Sequence, residues 1–128
     1  MSPFKPEQLA VVSLRAEDVR AAVHFYRHAV GLPLLPHHHH PPAFALGPGQ
    51  YLAIVEGQLA PAGEPAGSRF PVLAFAVRDL DEAVHHLKSY HVEPVQGVET
   101  GASGRWIRFH DPAGNLVEFV QFDTPPHS

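Results

Sequence analysis

VVSLRAEDVRAAVHFYRHAVG (residues 11–31) and VLAFAVRDLDEAVHHLKSYHV (residues 72–92) are one passage written twice, at an offset of 61. Five of the 21 aligned pairs are identical, Val11/Val72, Asp18/Asp79, Ala22/Ala83, Val23/Val84 and His24/His85, where about one is expected by chance. The apolar pattern agrees at most of the others. In each copy a short apolar run, Leu9 to Leu14 or Val72 to Val77, meets an Asp placed to cap a helix, Asp18 or Asp79, because a carboxylate there can accept the free first-turn amides. The spacing predicts a strand followed by a helix. Val19, Ala22, Val23, Tyr26, Ala29 and Val30 recur at helical intervals after the first cap, and Leu80, Ala83, Val84, Leu87 and Tyr90 do so after the second.

The tails repeat as well. GQYLAIV (49–55) aligns with GNLVEFV (114–120) at an offset of 65, after the turn residues Gly47-Pro48 and Asp111-Pro112, so each half ends in a strand entered through a turn. Between helix and final strand there is room for two further extended segments, near Ala43 to Leu46 in the first half and at Glu93 to Val95 and Arg105 to His110 in the second. The expected fold is α+β, a single domain over residues 1–128 built from two βαβββ modules that form one cupped, mostly antiparallel eight-stranded sheet. The modules run over about 8–57 and about 70–123, joined by a Gly-, Pro- and Ala-rich linker at about 58–69. Two helices cannot cover both faces of eight strands, so one face must form a cavity or an interface.

Composition narrows the function classes. Only nine Lys and Arg against a net charge of -4 leave no basic stripe for a nucleic acid. The first residues show no apolar leader, and no apolar run approaches the ~20 residues that span a bilayer, so a cytoplasmic location without membrane contact is expected. The absence of cysteine excludes disulfides, thiolate nucleophiles and Cys-type zinc sites. Any metal must therefore be held by His, Asp, Glu or carbonyl oxygen.

The phrases VVSL (11–14), AVHFY (22–26), GLPL (31–34), AFAVRDLDEAV (74–84) and FHDPAGNLVE (109–118) give the chain a resemblance to the vicinal-oxygen-chelate superfamily over nearly its whole length. The most specific piece, DPAGNLVE (111–118), is similar to the turn that leads into the family's glutamate-bearing last strand. Members include glyoxalase I, methylmalonyl-CoA epimerase, extradiol dioxygenases, fosfomycin-modifying enzymes and metal-free bleomycin-binding proteins. The resemblance places the metal-ligand positions of the metal-dependent members at Val11, Ala53, Val72 and Glu118. Only Glu118 can coordinate, and a divalent ion needs three or more N or O donors, so the resemblance implies that the usual metal site is absent. It also implies a homodimer.

Strand parity adds candidates. Glu118 shares a face with Leu116 and Val120, where a carboxylate among apolar neighbours is either a general base or ligand anchor, or a relic neutralised by a nearby cation. Trp106 and Arg108 alternate with Ile107 and Phe109, so Arg108 either clamps a ligand's carboxylate or phosphate beside a stacking Trp106, or pairs with Glu118. The tract His37 to His40 offers His38 and His40 in alternation; with Glu118 they would make a two-His, one-carboxylate set for Fe(II), Mn(II), Ni(II) or Zn(II), the alternative being a solvated proline-flanked loop. Ser13 has no nucleophile-elbow context and is expected to donate a hydrogen bond in the pocket.

The expected function is metal-independent binding of an amphipathic or aromatic small molecule, of the bleomycin-resistance type. The cup would be lined by Val11, Ser13, Ala53, Val72, Ala74, Trp106, Arg108, Leu116 and Glu118, with no cofactor. The alternatives are a metal-dependent lyase, isomerase or dioxygenase using Glu118 with non-standard His ligands, and a purely structural module whose cup is closed by a partner.

Overall fold

The computed structural model describes residues 4–36, 40–59 and 70–123, and its contacts divide the chain into two units, Met1–Gln58 and Leu59–Ser128. In the first unit the strand β1 (Val11–Ala16) ends at Asp18, whose carboxylate accepts the Ala21 amide at 3.0 Å and starts the helix α1 (Val19–His24). The helix continues as a π-helical segment, Phe25–Val30. It stops at Gly31, where φ is 90° and the amides of Gly31 and Leu32 both donate to the Tyr26 carbonyl, at 3.1 and 2.9 Å. A glycine takes this left-handed conformation without the clash of a Cβ.

The strands β2 (Ala43–Gly47) and β3 (Gln50–Glu56) complete a sheet of order β1-β3-β2, in which β1 runs parallel to β3 and β2 antiparallel to it. Leu14, Ala16, Phe44, Leu52 and Ile54 share one face of this sheet and are buried, as are Ala22, Phe25, Tyr26 and Ala29 of the helix. The Tyr26 and Phe44 rings meet at 6.2 Å. Fully buried Leu52 and Ile54 each contribute about 2 kcal/mol of transfer free energy.

The second unit repeats the plan with β4 (Leu73–Ala76), α2 (Leu80–Ser89), β5 (Glu99–Gly101), β6 (Gly104–His110) and β7 (Leu116–Phe122), in the sheet order β4-β7-β6-β5. Again first and last strands, β4 and β7, are parallel. Asp79 accepts the Glu82 amide at 3.2 Å, the cap expected for the second helix. Gln121 Oε1 takes the Leu80 amide at 2.8 Å and Arg105 Nη2 at 3.2 Å, which ties the start of α2 to the two central strands. Beneath the helix, Leu73, Ile107, Phe109, Val117 and Phe119 are buried with Leu80 and Leu87, and the Phe109 and Phe119 rings pack edge-on at 5.1 Å.

Both halves are thus present in α+β form, the second as βαβββ and the first, among the described residues, one strand short of it. The described residues form seven strands in two sheets, of three and four. Where the first unit's extra strand would lie, Leu34 makes one bridge to Phe44, supported by Leu35 N–H to Ala43 and Ala45 N–H to Pro33. Pro33 and Pro36 flank it, and neither has an amide to extend the ladder. Glu93 to Val95 likewise shrinks to a single bridge, Pro94 to Phe109, and the short strand of that unit is β5 instead. Most of the expected linker, residues 60–69, lies outside the described residues. Among the described residues no helix is long and apolar enough to cross a membrane.

The β6–β7 turn is organised by a buried carboxylate. Asp111 Oδ1 accepts the amides of Ala113 and Asn115 at 2.9 and 2.8 Å, and its Oδ2 accepts Asn115 Nδ2 at 2.9 Å. Replacing Asp111 by Ala would orphan three donors at once. Asp111→Ala should lose about 2 kcal/mol or more in urea denaturation, and adding Asn115→Ala should cost little further because the two side chains share one network.

Candidate functional site

Each sheet has one face covered by its unit's helix, and the candidate residues fall on the other. In the first unit the parallel register sets Val11 beside Tyr51 and Ser13 beside Ala53, and the antiparallel register sets Ala43 on the far side of Ala53. These five residues, with Leu35, Pro36 and Pro41, line a cleft of about 660 Å³. That volume is within the usual range for small-molecule pockets, about 300–1,000 Å³. The floor is sheet, and one wall is formed by Leu35, Pro36 and Pro41. Among the described residues of the lining, Ser13 and Tyr51 carry the only polar side-chain groups. Val11 remains 51% exposed and Tyr51 36%.

The structure therefore brings Val11, Ser13 and Ala53 together on one apolar face. Tyr51 and Ala43 escaped the sequence reading, although Tyr51 has the strand parity of Ala53 and could have been found by it. Leu35, Pro36 and Pro41 carried no such signal, because they flank a His tract that reads as solvated loop.

In the second unit, Ala74, Glu118 and Arg108 form one row across β4, β7 and β6, and Ala76, Val120 and Trp106 form the next. Arg108 Nε donates to Glu118 Oε1 at 3.0 Å, with the side chains 29% and 14% exposed. Of the two readings of Arg108, the ion pair is what the structure contains. Leu116 has the expected parity but is fully buried, and Val72, just ahead of β4, is half-buried. The Trp106 ring lies against Gly101 of β5, where a Cβ would come within 2.8 Å of the indole carbons. Trp106 Nε1 is buried without a hydrogen-bond partner.

The four positions to which the family resemblance assigns metal ligands do not fit a divalent ion. Val11, Ala53 and Val72 have no donor atoms, and Glu118 is engaged by Arg108. Of the alternative set, His38 lies outside the described residues and His40 is exposed. Among the described residues no group of three or more His, Cys, Asp or Glu side chains converges.

A pair this shielded should show real coupling. In a double-mutant cycle on Arg108→Ala and Glu118→Ala, read by urea denaturation, the expected coupling is about 1–2 kcal/mol, against a few tenths for an exposed pair.

Comparison with known proteins agrees with this fold. The family model for the Glyoxalase/Bleomycin resistance protein/Dioxygenase superfamily matches residues 8–119. Among solved structures, a glyoxalase/dioxygenase from Nostoc punctiforme superposes with a TM-score of 0.78 at 22% identity, covering 97% of this chain and 99% of that one. A lactoylglutathione lyase from Agrobacterium tumefaciens gives 0.70 at 23%, covering 92% and 96%. The antibiotic binding protein TnmS3 from Streptomyces sp. CB03234 gives 0.74 at 25%, covering 94% and 100%. No curated protein matches the sequence significantly. With the family model spanning both halves of the repeat, the chain belongs to the Glyoxalase/Bleomycin resistance protein/Dioxygenase superfamily.

Proposed function

We propose that the protein binds and sequesters an amphipathic or aromatic small molecule without the help of a metal, as the bleomycin-resistance type does. The observation that carries this reading is the apolar cleft of the first unit, whose described lining residues join hydrocarbon side chains to one serine hydroxyl and one phenol. A half-exposed Val11 forgoes about 1 kcal/mol of transfer free energy, which an apolar ligand laid across the sheet recovers. Ser13 and Tyr51 then fix orientation by hydrogen bonds. The donor-free side chains at positions 11, 53 and 72 support metal independence, and the likeness to a protein described as antibiotic-binding is in keeping with the ligand class. A metal-dependent lyase, isomerase or dioxygenase would need Glu118 released from Arg108 and further ligands from elsewhere in the chain.

The test uses the amphipathic dye 1-anilinonaphthalene-8-sulfonate on folded protein held in excess chelator. Saturable binding of one dye per chain is expected. Ala53→Phe, which fills the floor of the cleft, should weaken it at least about tenfold, a loss of 1.4 kcal/mol, while leaving the circular dichroism spectrum intact. The proposal fails if the dye binds Ala53→Phe as well as wild type. It fails equally if, after reconstitution with Fe(II), Mn(II), Ni(II) or Zn(II), a stoichiometric metal is held by wild type and lost in Glu118→Ala.

A further inference from the structure

His24 and His28 stand four residues apart where the α-helical Val19–His24 passes into the π-helical Phe25–Val30, and both are exposed. In an α-helix the residue four positions on is rotated by about 40° about the axis. A π turn takes in more residues, so four steps come closer to one full circle and residue 28 is carried back over residue 24. The two imidazole centroids are 4.6 Å apart and their planes are inclined by 48°.

That separation has a chemical meaning. A late first-row metal holds an imidazole nitrogen at about 2.0–2.1 Å, and about 1.1 Å more to the ring centre puts each centroid about 3.2 Å from the ion. Two imidazoles bound at a right angle then have centroids about 4.5 Å apart, whereas a tetrahedral angle spreads them to about 5.2 Å. The observed 4.6 Å brings both rings within reach of one ion, and tetragonal Cu(II) and Ni(II) take neighbouring imidazoles at a right angle.

We propose that His24 and His28 form a two-histidine chelate on the helix surface for Cu(II) or Ni(II), with water completing the coordination. Each imidazole uses one nitrogen for the metal and keeps the other for a hydrogen bond. The internal repeat supplies a contrast. His24 aligns with His85, but His28 aligns with Ser89, so the second helix lacks the other half of the chelate. His86 on that helix instead lies 5.1 Å from the Tyr90 ring. An ion bound by His24 and His28 spans the α-to-π junction and holds the segment whose buried side chains cover the first sheet. Binding therefore stabilises the native state, by an amount that grows with the logarithm of metal concentration over dissociation constant.

The experiment uses the full chain with His37 to His40 replaced by Ser in every arm, which removes that tract as a competing site. Calorimetric titration with Cu(II) or Ni(II) alone should give one ion per chain. His24→Ala and His28→Ala should each weaken binding by about tenfold or more, since each removes half the chelate, whereas His85→Ala should leave it unchanged. The metal-induced rise in Tm should shrink with the same two substitutions, both of them at exposed positions of the helix. Absence of binding in the parent overturns the proposal, and so does an affinity that neither His24→Ala nor His28→Ala reduces.

Discussion

The parallel pairing of first and last strand within each unit is the constraint from which the rest follows. It requires the chain to leave the sheet after β1 or β4 and return, and the helix that makes the crossing can lie on one face only. Because the register is shared across the sheet, side chains alternate in phase on every strand. Leu14, Leu52 and Ile54 go under the helix together, and Val11, Ser13, Tyr51 and Ala53 go to the other side together. A bare, largely apolar sheet face is thus built into the topology before any ligand is considered.

What occupies that face differs between the two units although the plan is the same. In the first it holds small and aliphatic side chains and a phenol, and the cleft above them is open. In the second the central row holds an arginine and a glutamate that satisfy one another. Removing two charges from water costs several kcal/mol per ion when burial is deep, so a partly shielded pair keeps its charges matched. The pair accounts for Glu118 without assigning it any chemistry, and a ligand that recruited either member would have to replace the bond it broke.

Much of this was legible in the sequence because repetition and alternation are simple signals. The offset of 61 revealed both strand–helix passages, Asp18 and Asp79 both cap, and strand alternation sets Val11, Ser13 and Ala53 on one sheet face. The proline-rich wall of the cleft was not legible, since Leu35, Pro36 and Pro41 belong to no periodic element and reach the sheet only through tertiary contact. Nor was the π segment, because its apolar spacing also satisfies an ordinary helix. Among the described residues the eighth strand shrinks to a single bridge where prolines deprive the backbone of donors, a local rule overriding the analogy between halves.

The turn at Asp111 separates shape from chemistry. Its carboxylate and the Asn115 amide act on the turn itself, and they fix where β7 begins, ahead of the residue at 118. The outward phase of position 118 is thereby set by the hairpin, whatever side chain stands there. Such a scaffold can exchange one reactive group for another, or lose it, without refolding, which makes the face an easily rewritten surface and the turn its fixed frame.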